Sequence, residues 1–252
     1  MSIHWPIIRT CLKHPLEVGV VDDTRSYRRI ELLIGALNLA DVLDRLSPQR
    51  SAPVGIMLPS SGAFPIAALA AWISGRVIVP LNFLLKREEL QYIVDDCGCE
   101  SVVTSSALLT QMGFRPERTR LIELEALDLK RVPEPRFPAA ADDDELAMLL
   151  YTSGTSGRPK GVMLTHGNIA TNIRQCIQWV GFTRSEVLMG VLPQFHTFGL
   201  TVLTMLPLTR GCKVVYSARF MPPRIVKAFR QHRPTAMVAI PSMYNALLHV
   251  KD

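Results

Sequence analysis

Short apolar runs typical of buried strands alternate with helical segments along most of this 252-residue chain. Strands are predicted at residues 18–21, 54–58, 76–80, 101–104, 146–151, 187–192, 213–216 and 235–240. Helices are predicted at residues 64–74, 87–97, 167–180, 222–231 and 241–250, and a longer helix is predicted to begin at Ser26. Because parallel strands are joined by long connections, usually helices, this alternation predicts an α/β fold with parallel-rich sheets flanked by helices.

The two halves of the chain differ in charge. Residues 1–145 carry 16 Lys/Arg against 20 Asp/Glu, whereas residues 146–251 carry 12 Lys/Arg against one acid, Glu186. Such a surplus of positive charge favours an anionic ligand. The basic residues are spread out, without stacking aromatics among them, so a polyphosphate is predicted rather than nucleic acid. The alternative is that these charges only solvate helix surfaces.

Composition is that of an ordinary globular protein, with 48% hydrophobic and 20% charged residues. No apolar run reaches the roughly 20 residues of a membrane-spanning helix, and Pro6, Arg9 and Lys13 interrupt any signal peptide. Five scattered cysteines favour a reducing compartment, so we expect a cytoplasmic protein with at most peripheral membrane contact. Cys97 and Cys99 lack zinc-site spacing, so all five cysteines are interpreted as ordinary thiols and no metal site is predicted.

Residues 151–161, with the sequence YTSGTSGRPKG, follow a predicted strand and precede a predicted helix. Residues 152–157 are only Ser, Thr or Gly. Backbone N–H groups left open by glycine and side-chain hydroxyls can bind phosphate oxygens, and Lys160 adds a compact positive charge. This segment therefore predicts a phosphate-binding loop. It is not a Walker A loop, in which Lys directly precedes Ser or Thr.

A flexible Ser/Gly linker is the alternative interpretation of this segment. However, a linker has no reason to begin directly after a buried strand. Nor has it any reason to end in Arg-Pro-Lys-Gly and to continue into residues 162–168, VMLTHGN. The phosphate-binding interpretation is therefore preferred.

Residues 151–168 resemble the signature loop of the adenylate-forming enzymes, which include acyl- and aryl-CoA synthetases, luciferases and the adenylation domains of peptide synthetases. Other segments resemble the same family in the same order: VGIMLPS at 54–60, GRVIVPLN at 75–82, LPQFHTFGL at 192–200 and PSMY at 241–244. This ordered set identifies the chain as similar to that family, of the acyl-CoA synthetase type.

The resemblance implies a fold with a layered αβαβα arrangement. The chain would be an incomplete N-terminal adenylation domain spanning residues 1–252, without the C-terminal domain. Its approximate subdomains would be residues 51–185, with the first sheet and the phosphate loop, and residues 1–50 with 186–252, with a second, incomplete sheet. Independently of the resemblance, the prolines at 133–138 and the acidic residues at 142–144 predict a loop or a subdomain seam.

The resemblance also implies a two-step reaction. A carboxylic acid, with a fatty acid preferred, would attack the α-phosphorus of Mg-ATP to give an acyl-adenylate and pyrophosphate. The thiol of coenzyme A, or of an acyl carrier protein, would then take the acyl group. The residues that the resemblance places on the triphosphate are Thr152, Ser153, Gly154, Thr155, Ser156, Gly157 and Lys160. Lys160 and His196 would be catalytic, with His196 between the adenylate and the acyl pocket, whereas His166 is interpreted as structural.

Some features depart from the family pattern. Ser156 stands where the family usually has Thr, and Gln194 stands where an apolar residue is more common. The later motifs that bind adenine, magnesium and ribose, and the catalytic Lys of the C-terminal domain, do not occur in these residues. We therefore expect a fragment that does not turn over acid, ATP and thiol at a normal rate by itself. A non-catalytic nucleotide-binding or regulatory module and a basic nucleic-acid-binding domain are the other hypotheses, and the oligomeric state is not predicted.

Overall fold

The computed structural model describes residues 2–47, 49, 51–152 and 158–250, which form two β-sheets. The larger sheet contains, in spatial order, β6 (Arg120–Glu123), β5 (Ser101–Thr104), β3 (Val54–Ile56), β4 (Ile78–Pro80), β7 (Leu146–Thr152) and β8 (Lys160–Thr165). Its strands are parallel except for β8, which is antiparallel to β7. Adjacent strands that run parallel therefore end at one edge, near the start of the predicted phosphate loop.

The smaller sheet contains, in spatial order, β11 (Ala236–Val238), β9 (Val187–Gly190), β10 (Lys213–Tyr216), β1 (Val18–Val21) and β2 (Ser26–Arg28). Only β2 is antiparallel to its neighbour. Both sheets thus consist mainly of parallel strands, as the alternation of strands and helices predicts.

Helices connect these strands and cover the sheets. They are α1 (His4–Lys13), α2 (Arg29–Leu46), α3 (Ala63–Ile73), α4 (Arg87–Asp96), α5 (Ser106–Met112), α6 (His166–Val180), α7 (Thr197–Leu200), α8 (Leu206–Arg210), α9 (Pro222–His232) and α10 (Pro241–Leu248). A 3₁₀ turn occupies Leu124–Ala126, and a π-helical turn at Thr201–Met205 joins α7 to α8.

Side chains on the two faces of each sheet enter different cores, because successive strand residues point in opposite directions. Val103 and Val214 lie in the core between the two sheets, together with residues of α1, α2, α3 and α6. Val102 packs on the outer face of the larger sheet with α4 and α5. Val215 packs on the outer face of the smaller sheet with α9 and α10. The predicted αβαβα layering is confirmed.

Helix α3 lies at the centre of these layers. All of its residues from Phe64 to Ile73 are buried, as expected for a helix that is apolar on every side. Its Trp72 Nε1 donates a hydrogen bond of 3.0 Å to the carbonyl oxygen of Ala147 in β7. The central helix is therefore fixed to the strand that leads into the phosphate loop.

Several elements differ from the sequence prediction. Residues Ser26–Arg28 form β2, so α2 begins at Arg29 rather than at Ser26. The sequence did not predict five elements, namely α1, α5, β6, β8 and the helical segment from α7 to α8. All strands of the larger sheet fall within residues 54–165, and the proposed subdomain boundaries stay a prediction. Within the described ranges, no helix has both the length and the hydrophobicity needed to cross a bilayer.

His4 is a buried ionisable group near the start of α1. Its ring is 0% exposed and lies 6.2 Å, centroid to centroid, from the ring of His166. Burial, followed by repulsion from His166, lowers the pKa of His4 to about 4. Its proton therefore binds more readily in the unfolded chain, where the pKa of a histidine is about 6.5.

We expect acid to destabilise the fold through His4. The contribution of neutral His4 is complete above its unfolded pKa and is lost as the pH falls towards its folded pKa. The free energy of unfolding should therefore decrease by about 2 kcal/mol between about pH 7 and pH 5 from this group. Urea unfolding of the wild type and of His4→Phe at both pH values measures the difference. The exposed His249→Phe is the control, and an equal pH dependence in wild type and His4→Phe would contradict the prediction.

Candidate functional site

The predicted phosphate loop connects β7 to β8 in an antiparallel hairpin. In the register of this ladder, Thr152 faces Lys160 and Tyr151 faces Gly161. The sequence pattern predicted that a helix directly follows the loop. Instead, Lys160–Thr165 forms a strand between the loop and the helix. Both Thr152 and Lys160 are exposed. The ladder therefore places a hydroxyl and an ammonium group side by side at the base of the loop.

The remaining predicted phosphate ligands, Ser153, Gly154, Thr155, Ser156 and Gly157, lie outside the described residues. Among the described residues, no carboxylate forms a salt bridge with Lys160. No group of three or more His, Cys, Asp or Glu in the described ranges is arranged to hold a metal ion. The described part of the loop is therefore a cationic site without a partner carboxylate.

Both ends of the loop contact the C-terminal part of α4. The hydroxyl of Tyr151 donates a 2.6 Å hydrogen bond to Asp96 Oδ2, and that of Tyr92 donates a 3.2 Å bond to Asp96 Oδ1. On the other side of the loop, the Arg158 guanidinium lies 5.7 Å from the centroid of the Tyr92 ring. Burial, followed by the bond to Asp96, raises the pKa of Tyr151 well above its usual value. The hydroxyl of Tyr151 therefore stays protonated and remains a hydrogen-bond donor to Asp96 at the end of α4.

A cavity of about 450 Å³ opens beside the loop, where β4 and β7 end. Crevices at the carboxyl ends of parallel strands are the usual ligand sites of open α/β sheets. Its polar lining residues include Asn82, Glu89, Thr152, Arg158 and His196. The structure thus brings Thr152 and His196, two of the predicted site residues, to one cavity, although 44 residues separate them in the sequence.

His196 lines this cavity and is the residue immediately before α7. Its ring centroid is 4.8 Å from that of Phe195, which in turn lies 5.1 Å from that of Phe83. More than a third of His196 is open to solvent. Partial burial lowers the pKa of His196, so its imidazole is neutral at neutral pH and each ring nitrogen is available as donor or acceptor according to tautomer.

Gln194 holds the His196 segment in place. Its Oε1 accepts a 2.8 Å hydrogen bond from the amide of Ser61, and its Nε2 donates a 3.1 Å bond to Thr204 Oγ1. Its side chain is 0% exposed. Thr204 also accepts a 3.2 Å bond from the hydroxyl of Tyr216 in β10. The polar residue at this position therefore links the segment to the turn before α3 and to the smaller sheet.

Gly199 is required by the tight packing of the same segment. A Cβ atom at this position would lie 2.1 Å from the carbonyl oxygen of Pro193, well inside contact distance. Leu200 N–H donates a 2.8 Å bond to the carbonyl oxygen of His196, which begins the helical segment. The glycine of LPQFHTFGL thus lets α7 fold back onto the residues before His196.

His166 has the structural position that the sequence predicted. It is buried at the start of α6, and its Nδ1 accepts a 3.4 Å bond from the amide of Ile3. Thr165 caps this helix by accepting a 3.1 Å bond from the amide of Asn168. The supporting residues Tyr151, Asp96 and Gln194 were not predicted as part of the site, and only the unusual polar residue at 194 was a signal for any of them.

We expect Gln194→Leu to destabilise the fold, although an apolar residue is common at this position in the family that the sequence resembles. The substitution leaves the Ser61 amide and the Thr204 hydroxyl without this buried partner, so the free energy of unfolding should fall by about 1–3 kcal/mol. Urea unfolding measures the change. Gln175→Leu, on the exposed face of α6, is the matched control and should change stability by less than about 0.5 kcal/mol. Equal stabilities of the two variants would show that the Gln194 bonds contribute nothing.

Known proteins resemble this chain in sequence over almost all of its length. Feruloyl-CoA synthase from Amycolatopsis sp is 29% identical over 252 residues, which cover 96% of this chain and 49% of the relative. Long-chain-fatty-acid–CoA ligase from Bacillus subtilis (strain 168) is 27% identical over 260 residues, covering 87% of this chain and 46% of the relative. The chain therefore spans about half the length of these curated relatives.

The same similarity is found in three dimensions. The structure of o-succinylbenzoate coenzyme A synthetase from Bacillus subtilis, in complex with AMP, superposes with a TM-score of 0.86 and 25% identity. This alignment covers 96% of the present chain and 63% of that one. The family model described as AMP-binding enzyme matches residues 8–252. Since the match includes nearly every residue, the chain belongs to the AMP-binding enzyme family of adenylate-forming ligases.

Proposed function

We propose that this chain is the ATP-binding part of an enzyme that activates a carboxylic acid as an acyl-adenylate and transfers the acyl group to a thiol. The observation that carries the proposal is the pairing of Thr152 with Lys160 at the base of the 153–157 loop, with His196 at the adjacent cavity. These groups match the needs of a reaction that starts at a polyphosphate. Membership of the AMP-binding family and the AMP-bound structural relative support the nucleotide.

In the first step, a carboxylate oxygen attacks the α-phosphorus of ATP, and the bond from that phosphorus to pyrophosphate breaks. The protein has little covalent chemistry to perform here, so it acts by positioning and by stabilising charge on phosphate oxygens. We assign the charge on the leaving pyrophosphate to Lys160 and to the hydroxyls and backbone N–H groups of residues 152–157. The hairpin is suited to this role because its two strands hold Thr152 and Lys160 at fixed separation.

In the second step, a thiol attacks the acyl carbonyl carbon and AMP leaves. We assign His196 the role of guiding the carboxylate or the incoming thiol, because it borders the cavity beside the loop. Its neutral ring can accept a hydrogen bond from a thiol. Coenzyme A is the proposed acceptor, as the names of the relatives indicate, and an acyl carrier protein is the alternative.

Magnesium enters this proposal only as part of the substrate, Mg-ATP. Mg²⁺ is commonly bound through substrate phosphates together with one or two carboxylates and waters, so a dedicated protein cage is not needed. Glu89, which lines the cavity, offers one carboxylate near the loop. The described residues are therefore compatible with a metal that arrives with the nucleotide, and no step is assigned to it.

A fatty acid is the first substrate that we propose to test. The B. subtilis relative named for long-chain fatty acids supports this choice. The relative named for ferulate makes an aromatic acid the best comparison. Apolar residues that line the cavity, among them Leu85, Ile93 and Phe195, favour an acid with an apolar part. Five free thiols agree with our proposal of a reducing cytoplasm.

We expect Lys160→Ala to weaken the use of ATP while leaving the fold intact, because Lys160 is exposed and lies at the end of an edge strand. In the enzyme that contains this chain, kcat/KM for ATP in pyrophosphate exchange should fall by roughly 10–100-fold, the effect of losing one charge-assisted contact. Lys13→Ala, on the exposed side of α1, is the control and should leave the exchange unchanged. Unaltered kinetics in Lys160→Ala would remove Lys160 from its proposed role.

The rate of thiol transfer should also depend on the charge of His196. Because the pKa of His196 is lowered, the ring is neutral at neutral pH and protonated only as the pH falls below the usual histidine range. We expect kcat/KM for the thiol to decrease on acidification through that lowered pKa, and His196→Gln to remove this acidic limb. A pH profile with pre-formed acyl-adenylate measures it. An identical acidic limb in His196→Gln would assign the titration to another group.

A further inference from the structure

Two cysteines approach each other next to the loop anchor, as we call the hydrogen bond between Tyr151 and Asp96 at the end of α4. Cys97 follows the last residue of α4, and Cys99 lies two residues before β5. Their Sγ atoms are 3.1 Å apart. The proposed reaction uses neither thiol. Their proximity therefore calls for a separate explanation.

Backbone geometry brings the two thiols together. Gly98, between them, has a φ of +64°, in the left-handed region that other residues rarely adopt. This turn places the side chains of Cys97 and Cys99 on the same side of the chain. A Cβ atom at Gly98 would meet no heavy atom within 4 Å, so the glycine is needed for its backbone conformation and not for space.

The pair lies close to the surface. Cys97 is half-buried and so partly open to solvent, whereas Cys99 is buried. Cys99 borders a surface cleft of about 420 Å³ that is also lined by Val94, Gly98 and Arg118, among others, but not by Cys97. The hydrogen bond between the two thiols lowers the pKa of Cys97, and the same bond, together with burial, raises the pKa of Cys99. Cys97 is therefore the thiol that ionises first and the better nucleophile of the two.

We propose that Cys97 and Cys99 are a reversible oxidation site at which a peroxide produces an intramolecular disulfide. The Cys97 thiolate attacks one peroxide oxygen and becomes a sulfenic acid, while the O–O bond breaks and hydroxide leaves. The Cys99 sulphur then attacks Cys97 Sγ, and the sulfenic oxygen leaves as water. In total, two thiols and one hydrogen peroxide give one disulfide and two waters. A dithiol reductant returns both cysteines to thiols.

Little movement is needed for this bond. The sulphur atoms must approach by about 1 Å to reach the disulfide length of about 2.05 Å. A ring closed over one intervening residue is tight, and strained disulfides are easily reduced. The oxidised form is therefore a labile modification rather than a structural cross-link. In the structure, all five cysteines are free thiols.

The location of the pair gives the disulfide an effect on the loop. Asp96, which accepts the hydrogen bond of Tyr151, is the residue immediately before Cys97. The amide of Cys97 donates to Ile93, and that of Cys99 donates to Val94, so the two cysteines form the end of α4. Drawing the sulphurs together changes this helix end and loosens the hold of Asp96 on β7. The consequence for ATP rests on the proposed function, whereas the oxidation site does not.

The oxidation site is tested by treating the protein with hydrogen peroxide and mapping its tryptic peptides by mass spectrometry. The peptide of residues 88–118 contains both cysteines and no other. We expect it to become lighter by two hydrogen atoms and to regain its mass after dithiothreitol. Cys97→Ser and Cys99→Ala should each abolish the loss, whereas the control Cys176→Ser should retain it. A wild-type peptide whose mass does not change, or that only gains oxygen, would overturn the proposal. This outcome does not depend on whether the variants fold.

The effect on the loop anchor is tested by amide hydrogen exchange of the oxidised and reduced protein. We expect faster exchange after oxidation at the ends of β7 and β8, near Tyr151 and Gly161, and no difference in Cys97→Ser. A disulfide without any change in exchange at these strands would overturn the coupling to the loop. Failure of ATP activity in the reduced enzyme would instead contradict the proposed function and leave the thiol chemistry intact.

Discussion

The packing of a buried helical layer between two sheets is the constraint on which the rest of this structure depends. Helices α2 and α3 pack against each other there, and one continuous core joins residues of both sheets to them. Burial of each large apolar side chain contributes about 1.5–3 kcal/mol, so this layer accounts for much of the driving force for folding. It also fixes the separation of the sheets, and hence the distance between the loop on the larger sheet and the segment that carries His196.

Hydrogen bonds of two side chains, Asp96 and Gln194, then position the chain segments that border the cavity. On one side, Asp96 holds Tyr151 at the end of β7. On the other side, Gln194 connects the residues before His196 to the turn at Ser61 and to Thr204. Each contact links a chain segment at the cavity to an element of the scaffold. The groups that border the cavity are therefore positioned by hydrogen bonds that lie behind them, in agreement with the general need of catalytic sites for a supporting shell.

Much of the fold could be predicted because its central strands are short, apolar and separated by helical patterns, as in β1, β5 and β10. The elements that escaped prediction lack such signals. Strand β2 has only three residues and lies at an edge, and β6, also at an edge, has only two apolar residues between charged ones. Strand β8 merges with the apolar pattern of the following helix, and its pairing with β7 is a long-range property. The loop residues and His196 could be found from motifs, whereas Asp96 and Tyr151 meet only after folding, 55 residues apart in the sequence.

The ladder between β7 and β8 has a consequence for how the loop can vary. Side chains in a strand alternate between faces, so removing or adding one residue within either strand moves every later side chain to the opposite face. Lys160 would then point away from Thr152 even if the chain still paired. The pairing of Thr152 with Lys160 therefore constrains the chain length at the base of the loop. Exchange of this loop with that of a relative should thus preserve the pairing at its two ends.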